Sequence, residues 1–246
     1  MGSKGAGSIP ALFFLMKVAA IVVAAGQGSR MGSEIPKVFL PLGGIPMVAV
    51  TIRALATVEL IGEIVVVVAP EHVPLLERVL EEWGPAKTPV HHALGGAERQ
   101  DSVAAGLAAV SAETEIVAVH DAARPFVPPA RVTAVIQAAA AEGAALLAVP
   151  SRDTVKLVDD HGLVTQTPPR QRVWLAQTPQ VFRAGLLREA HARARQDGIV
   201  ATDDAALVER MGRPVKVVPG EASNVKITTP ADLQWAEWYL RSGAPR

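Results

Sequence analysis

The sequence contains no cysteine, no excess of either charge and no hydrophobic run long enough to cross a bilayer. The absence of cysteine excludes disulfide bonds and thiolate metal sites, which suits a cytoplasmic protein. A formal net charge of zero gives no reason to expect nucleic acid or an anionic membrane as a partner. The apolar run Ala11–Met16 is far shorter than the roughly 18 residues of a membrane span and too short for a signal-peptide core.

Half of the 246 residues are hydrophobic, which is enough to bury a sizeable core in one domain. We expect residues 1–16 to form a leader outside the fold and residues 17–246 to form that single domain. Short apolar runs alternate with helical stretches along it. The predicted strands are Val18–Ala24, Ile64–Ala69, Ile116–Val119 and Ala145–Val149. The predicted helices are Pro46–Ala56, Val73–Trp83, Asp101–Val110, Pro129–Glu142, Ala184–Gln196 and one capped by Thr229 with Pro230 in its first turn. Strands that are apolar throughout indicate a doubly wound, mostly parallel Rossmann-like α/β sheet.

The polar segment from 151 to 173 interrupts this pattern. It contains two alternating runs, Thr154–Val158 and Leu163–Gln166, joined by Asp159-Asp160-His161-Gly162, which predicts a protruding β-hairpin arm. An isolated hairpin is marginal in water. We therefore expect the arm to pack on a second copy of the chain, giving a homodimer.

A glycine-containing loop follows the first predicted strand directly. Its residues are Ala24-Ala25-Gly26-Gln27-Gly28-Ser29-Arg30, and Lys37 comes seven residues after the arginine. Small residues let backbone N–H groups approach a polyphosphate, and the two cations can neutralise it. Met31 replaces the third glycine of the dinucleotide fingerprint, and no Lys-Ser or Lys-Thr follows the last glycine as in a Walker loop. The alternative is a tight turn with ordinary surface charges. Lys37 follows a proline and precedes the apolar run Val38-Phe39-Leu40, so its backbone is expected to be held, which favours a nucleoside triphosphate site.

Two further loops can serve such a site. Gly95-Gly96 opens a predicted helix, where free N–H groups can meet a ligand, or where Asp101 or Ser102 simply caps the helix. Asp121 ends a predicted strand at the edge where open α/β sheets bind ligands, and its carboxylate suits Mg²⁺. The alternative is a structural pair between Asp121 and Arg124. His120 is expected to be packed or hydrogen-bonded rather than a metal ligand.

The later polar segments carry weaker signals. Asn224–Thr228 is predicted as a short alternating strand that displays Lys226. Thr178-Pro179-Gln180 and Thr202-Asp203-Asp204 are typical of turns and helix caps. The apolar residues near the end of the chain indicate core or subunit contact rather than a cofactor site; they are Leu233, Trp235, Ala236 and Trp238.

Seven motifs together resemble one family. They are AAGQGSRMG…PK, GGAERQDSV, HDAARP, DTVK, QTPQ, TDD and NVKIT, in the family's order over residues 18–240. The chain resembles the 2-C-methyl-D-erythritol 4-phosphate cytidylyltransferases of the non-mevalonate isoprenoid pathway. The resemblance implies a nucleotidyltransferase that uses CTP, a polyol phosphate and Mg²⁺ or another divalent cation, as a homodimer.

The resemblance also implies roles by position. Nucleotide binding falls to Ala24, Ala25, Gly26, Gly28, Gly96, Ala97 and Ser102, and Asp121 lies at the metal. Catalytic charge stabilisation falls to Arg30, Lys37, Arg170 and Lys226. Acceptor binding falls to Thr154, Arg170, Thr178, Thr202 and Lys226, with Arg124 as a lesser contact. In the family the arm from Thr154 to Arg170 reaches into the other subunit.

Two positions depart from the family pattern, because Ala97 and Ser223 stand where some members carry an acidic residue. That puts in doubt any side-chain contact to the base, or support of Lys226, at these positions. Three alternatives stay open. The acceptor could be ribitol 5-phosphate, the base could differ in another sugar-phosphate nucleotidyltransferase, or the chain could be a non-catalytic nucleotide-binding module.

Overall fold

The computed structural model describes residues 16–26 and 35–243, and a seven-stranded sheet forms its centre. The strands are β1 (Val18–Val23), β2 (Pro41–Leu42), β3 (Ile45–Pro46), β4 (Ile61–Val68), β5 (Val90–Leu94), β6 (Ile116–Asp121), β7 (Ala144–Pro150), β8 (Leu157–Val158), β9 (Val164–Gln166), β10 (Trp174–Arg183) and β11 (Lys216–Pro219). The helices are α1 (Met47–Ala56), α2 (Val73–Trp83), α3 (Arg99–Ala109), α4 (Pro129–Glu142), α5 (Ala184–Gln196), α6 (Asp204–Arg210) and α7 (Pro230–Arg241). None of these helices is long and apolar enough to cross a membrane.

The central sheet has the order β11-β7-β10-β6-β1-β4-β5. Every neighbouring pair is parallel except the two pairs made by β10, which runs against both β6 and β7. Helices cover both faces, so the predicted doubly wound, mostly parallel α/β sheet is confirmed. The carboxyl ends of six strands therefore meet at one edge, where ligands bind in such sheets.

The two faces of the sheet are buried in separate apolar clusters. In β1, Ala20 and Val22 pack on one side with α1, α2, α4 and α7, while Ala19 and Ile21 pack on the other with α3, α5 and α6. This follows from the two-residue period of a strand. Because both faces are covered, no polar alternation is needed, which explains the continuous apolar runs in the sequence.

Helix boundaries agree closely with the local signals. The predicted spans of α2, α4 and α5 match the observed ones to the residue. In α7 the Thr229 side chain accepts from the Asp232 N–H, and the Asp232 carboxylate accepts from the Thr229 N–H, with Pro230 at the first position. This reciprocal cap leaves fewer unsatisfied N–H groups at the helix start, as the sequence predicts.

Three local predictions are wrong. Thr178-Pro179-Gln180 is not a turn but lies inside β10, where the pairing with β7 shifts register between Ala176 and Gln180 and so accommodates a proline. Asn224–Thr228 is an irregular loop rather than a strand, since the buried Asn224 side chain donates to Thr178 O and Gln177 Oε1 in place of a backbone ladder. Helix α3 begins at Arg99, and its N-cap residue is Glu98 rather than Asp101 or Ser102, although the Asp101 carboxylate completes the cap by accepting from the Glu98 N–H.

The predicted arm is a hairpin at the edge of the sheet where the carboxyl ends of the parallel strands meet. It leaves the carboxyl end of β7 and returns at the start of β10, with β8 and β9 paired antiparallel. The Asp159 carboxylate accepts from the N–H groups of His161 and Leu163, and Gly162 takes a positive φ of 80°. Within residues 16–26 and 35–243, six of the eleven exposed large hydrophobic residues lie on the arm or at its base: Leu157, Val158, Leu163, Val164, Trp174 and Leu175.

Candidate active site

A cleft opens at the carboxyl ends of β1 and β6, between the loop after β1 and the start of α3. It gathers nine of the residues predicted for the site: Ala24, Ala25, Gly26, Lys37, Gly96, Ala97, Ser102, Asp121 and Lys226. These come from five separate segments of the chain. The fold thus brings together the predicted nucleotide loops, the predicted metal carboxylate and two of the predicted catalytic cations.

The loop at Gly95-Gly96 is held against the end of β1. A Cβ on Gly95 would collide with the Ala25 side chain, and one on Gly96 would collide with the Asp101 side chain. The Ser102 hydroxyl accepts from the Gly96 N–H at 3.2 Å and donates to the Glu98 carbonyl at 3.2 Å. Only glycine fits this close approach, so backbone rather than side chains borders the cleft here.

Lys37 begins a short 3₁₀ turn, Lys37–Phe39, directly after Pro36. The Phe39 N–H donates to the Pro36 carbonyl, and Val38 and Phe39 are buried in the core. The backbone of Lys37 is therefore held, as the sequence predicts, and the residue lines the cleft. The predicted partners Gly28 and Arg30 lie outside the described residues.

Asp121 is the electrostatic centre of the cleft. Its Oδ2 lies 2.9 Å from Lys226 Nζ and 3.6 Å from Arg124 Nε, and its Oδ1 lies 3.7 Å from Arg99 Nε. Burial alone would raise the pKa of this carboxyl, but the three cations, Lys226 above all, lower it to about 2. The ion pair between Asp121 and Arg124 that was the structural alternative is thus present, and Lys226 and Arg99 contact the same carboxylate.

The site fits a divalent cation only if the substrate supplies most of its ligands. In residues 16–26 and 35–243 no three His, Asp, Glu or Cys side chains cluster as a metal site. Asp121 is ionised, and its Oδ1 lies 3.7 Å from Arg99 Nε. One carboxylate plus phosphate oxygens and water is the usual way that proteins hold Mg²⁺. The predicted metal role of Asp121 is compatible with this geometry and stays a prediction.

His120 is fully buried and hydrogen-bonded, as expected. Its Nε2 lies 3.1 Å from the Arg124 carbonyl, and its Nδ1 lies 3.0 Å from the Thr178 hydroxyl. Burial lowers the pKa of His120 to about 4, so the ring is neutral near pH 7. The Thr178 hydroxyl also accepts from the Asp121 N–H at 3.0 Å. Thr178, which was predicted to bind the acceptor substrate, therefore lies beneath the cleft.

Arg99 is a cleft residue that the sequence analysis missed. Its Nη1 donates to Asp204 Oδ2 at 2.7 Å, and the buried Asp204 also pairs with His191. Burial alone would lower the pKa of Arg99, but the carboxylates of Asp204 and Asp121 raise it. The sequence did contain a signal for Arg99. A cation in the first turn of a helix interacts unfavourably with the helix dipole, so its presence there indicates a compensating partner or a functional role.

The remaining predicted acceptor residues do not line this cleft. Thr154 and Arg170 are exposed on the arm, where Arg170 Nη1 donates to the Arg152 carbonyl at 3.1 Å. Thr202 is exposed just before Asp203, which caps α6 as predicted. Arg124 lies behind Asp121, and its Nη1 donates to the Asn224 carbonyl at 2.7 Å. Neither Thr154 nor Arg170 is among the residues that line the cleft of their own chain.

Comparisons with known proteins point to one family. The family model for 2-C-methyl-D-erythritol 4-phosphate cytidylyltransferase matches residues 18–242. The chain belongs to this family. A cytidylyltransferase of that name from Pelotomaculum thermopropionicum is 50% identical over 227 residues, covering 92% of this chain and 95% of the relative. One from Geotalea uraniireducens is 46% identical over 230 residues, covering 92% of this chain and 98% of the relative.

Solved structures of the family share the whole fold. The 4-diphosphocytidyl-2C-methyl-D-erythritol synthase of Anaerococcus prevotii superimposes with a TM-score of 0.82 at 32% identity, covering 92% of this chain and 99% of that one. The 2-C-methyl-D-erythritol 4-phosphate cytidylyltransferase of Thermus thermophilus gives a TM-score of 0.75 at 39% identity, covering 92% of this chain and 100% of that one. The nucleotidyltransferase type of the sheet and the resemblance drawn from the seven motifs are confirmed.

Proposed function

We propose that this enzyme transfers CMP from CTP to 2-C-methyl-D-erythritol 4-phosphate, giving 4-diphosphocytidyl-2-C-methyl-D-erythritol and pyrophosphate. The observation that carries the proposal is the cleft itself, where small-residue backbone, Lys37, Lys226 and Asp121 converge at the active edge of a cytidylyltransferase fold. Membership of the family supports the identity of both substrates. Ribitol 5-phosphate as acceptor is not favoured, since the relatives carry the methylerythritol name.

The reaction needs positioning and charge stabilisation more than proton transfer. An oxygen of the acceptor phosphate attacks the α-phosphorus of CTP, a new P–O bond forms, and the bond to the bridging oxygen of pyrophosphate breaks. The attacking oxygen is already ionised at neutral pH, so no general base is required. Lys37 and Arg30 would stabilise the charge that builds on the α-phosphate, and Lys226 would bring the acceptor phosphate to it.

Asp121 would hold Mg²⁺, which supplies charge neutralisation at the triphosphate when it is bound. The cations Lys226, Arg99 and Arg124 surround the Asp121 carboxylate. Among the described residues that line the cleft, the cations Lys37, Arg99 and Lys226 outnumber the carboxylates of Glu98 and Asp121 by one, so the cleft is net positive. Such a balance favours binding two polyanions next to each other.

The proposal includes a homodimer formed through the arm. Arg170 and Thr154 lie on an arm with exposed apolar side chains and do not line the cleft of their own chain, and the family resemblance implies that this arm reaches into the partner. Each complete acceptor site would then combine Lys226 and Thr202 of one subunit with Arg170 and Thr154 of the other. We also assign the enzyme to the cytoplasm, because a chain without cysteine suits a reducing compartment.

Turnover assays with purified full-length protein test the function. We expect pyrophosphate release with CTP, Mg²⁺ and 2-C-methyl-D-erythritol 4-phosphate, and much slower release with ribitol 5-phosphate or with ATP, GTP or UTP. Faster turnover with ribitol 5-phosphate would reassign the acceptor. No release with either acceptor would indicate a nucleotide-binding module that has lost catalysis.

A further inference from the structure

Beneath the cleft, four residues form a closed ring of hydrogen bonds. Asn224 Nδ2 donates to the Thr178 carbonyl at 2.8 Å, and the Thr178 hydroxyl bonds to His120 Nδ1 at 3.0 Å. His120 Nε2 bonds to the Arg124 carbonyl at 3.1 Å, and Arg124 Nη1 donates back to the Asn224 carbonyl at 2.7 Å. The ring joins the end of β6, the middle of β10 and the loop after β11.

The direction of every bond in the ring follows from its chemistry. A carbonyl oxygen can only accept, so His120 Nε2 carries the proton that it donates to Arg124. In the neutral ring Nδ1 is then the acceptor, and the Thr178 hydroxyl must be its donor. The oxygen of that hydroxyl still accepts from the Asp121 N–H at 3.0 Å. The only proton on the Thr178 hydroxyl is thereby committed within the protein.

The ring holds the segments that carry the charged groups of the cleft. Asp121 lies between His120 and Arg124 in sequence, and its N–H is bonded to the ring at Thr178. Lys226 follows Asn224 by two residues and places its Nζ 2.9 Å from Asp121 Oδ2. His120 and Asn224 are fully buried, and Thr178 is 5% exposed. None of these three residues lines the cleft, whereas Asp121 and Lys226 do.

We propose that His120, Thr178 and Asn224 are positioning residues that fix Asp121 and Lys226 relative to each other for cytidylyl transfer. The proposal rests on the proposed function for its kinetic readout. For Thr178 it offers a role through the ring in place of a direct contact to the acceptor. An error of about 1 Å in the placement of reacting groups can cost on the order of 10² in rate, so the ring matters even though it lies out of reach of the substrates.

Three variants open the ring at different bonds. Asn224→Ala removes the donor to Thr178. His120→Gln places an amide near the position of Nε2 and keeps the Arg124 bond, whereas His120→Asn places one near Nδ1 and keeps the Thr178 bond. Thr114→Val is the matched control, because Thr114 is also buried and its hydroxyl donates to Glu63 Oε1 at 2.9 Å. Thr114 lies just before the first residue of β6, at the end of that strand opposite the cleft.

We expect each ring variant to lower kcat by roughly tenfold or more and to change the KM for CTP by less than about threefold, since the loops at Ala24–Gly26 and Gly96 are untouched. Thr114→Val is expected to lower the urea midpoint while kcat stays unchanged. If the ring variants behave like Thr114→Val, losing stability but no kcat, the proposal is overturned.

A double-mutant cycle separates the two roles of Thr178. If its hydroxyl acts through His120, Thr178→Val combined with His120→Gln loses no more kcat than the more damaging single change. Losses that multiply would instead assign the hydroxyl to the acceptor and remove Thr178 from the ring's function. Thr178→Ser, which keeps the hydroxyl, is expected to retain most of kcat.

A readout that is independent of turnover keeps this proposal distinct from the proposed function. The ¹⁵N NMR signals of the His120 ring at neutral pH are expected to show a protonated Nε2 and an unprotonated Nδ1. The opposite tautomer would contradict the ring even in an active enzyme. Conversely, a wild type that forms no pyrophosphate but shows the expected tautomer would contradict the proposed function and support the ring.

Discussion

At the residue scale, the proposed reaction needs cations beside the nucleotide phosphates. Lys37 lines the cleft on a backbone held by Pro36 and by two buried apolar residues. We expect Lys37→Ala to lower kcat by on the order of 10², the usual loss for one strong donor to transition-state charge. Pyrophosphate release measures this, with Lys87→Ala as control, since Lys87 is exposed and remote from the cleft. Turnover close to wild type in Lys37→Ala would remove Lys37 from the mechanism.

The burial of His120 predicts how the free energy of unfolding depends on pH. Burial lowers its folded pKa to about 4, while the unfolded chain has the ordinary value of about 6.5. Between these two pH values the unfolded state binds a proton that the folded state does not. The free energy of unfolding should therefore fall as the pH drops from about 6.5 to 4, by about 3 kcal/mol in total from this group.

Urea unfolding at pH 4 to 7 measures this contribution in the wild type and in His120→Asn. The variant is less stable throughout, but its free energy of unfolding should fall less steeply over the same pH range. Parallel curves for the two proteins would show that His120 does not titrate in this way. Asp121, with a folded pKa of about 2, stays ionised over the whole range.

At the scale of the element, helix α7 begins with a reciprocal cap that is separate from the cleft chemistry. The Asp232 carboxylate accepts from the Thr228 and Thr229 N–H groups at 2.8 Å each, and these bonds lower the pKa of Asp232. Thr229→Ala removes the other half of the cap and is expected to lower the free energy of unfolding by about 1 kcal/mol.

Chemical denaturation measures the loss of this cap. Ser242→Ala at the other end of α7 is the control, because its exposed hydroxyl donates to the Tyr239 carbonyl, and a change within about 0.5 kcal/mol is expected. Equal losses in the two variants would mean that the cap adds nothing beyond an ordinary surface contact.

The elements that could be predicted from the sequence are those with a local cause. Helices α2, α4 and α5 carry a continuous pattern and clear ends, and β1, β4, β6 and β7 are short apolar runs between turn signals. Strand β10 could not be predicted in this way, because it contains Thr178-Pro179-Gln180, and its pairing partners β6 and β7 lie far away in sequence. Its identity as a strand is decided by tertiary contacts that no local window contains.

The candidate site was also only partly predictable from local sequence. Small residues after β1 and an aspartate at the end of β6 indicated a nucleotide cleft, and the seven ordered motifs added Lys226. The loop that carries Lys226 was predicted as a strand because its polar residues alternate, but Asn224 turns inward to Thr178. Arg99 was missed since its partner Asp204 is more than 100 residues away. Long-range polar pairs of this kind leave no periodic trace in the sequence.

At the scale of the whole molecule, the arm presents apolar side chains that one subunit does not cover. Leu163 and Val164 are 65% and 58% exposed, and the hairpin has no core of its own. We expect Leu163→Asp with Val164→Lys to convert the proposed dimer into a monomer in sedimentation and to abolish most turnover, while CTP binding to the cleft persists. Val217→Lys, at an exposed position on β11 away from the arm, is the control. A double variant that remains dimeric would place the interface elsewhere.

The proposed dimer also predicts that two inactive variants can restore each other. Arg170→Ala and Lys226→Ala should each lose most turnover, since they affect the acceptor site from the arm and from the cleft. In a heterodimer of the two, one site combines the intact Lys226 of one subunit with the intact Arg170 of the partner, and the other site has lost both. Random reassembly of equal amounts makes half of the dimers mixed, so about one quarter of wild-type turnover should return. Mixing either variant with itself is the control, and turnover that stays at the level of the single variants after verified subunit exchange would show that each acceptor site is built within one chain.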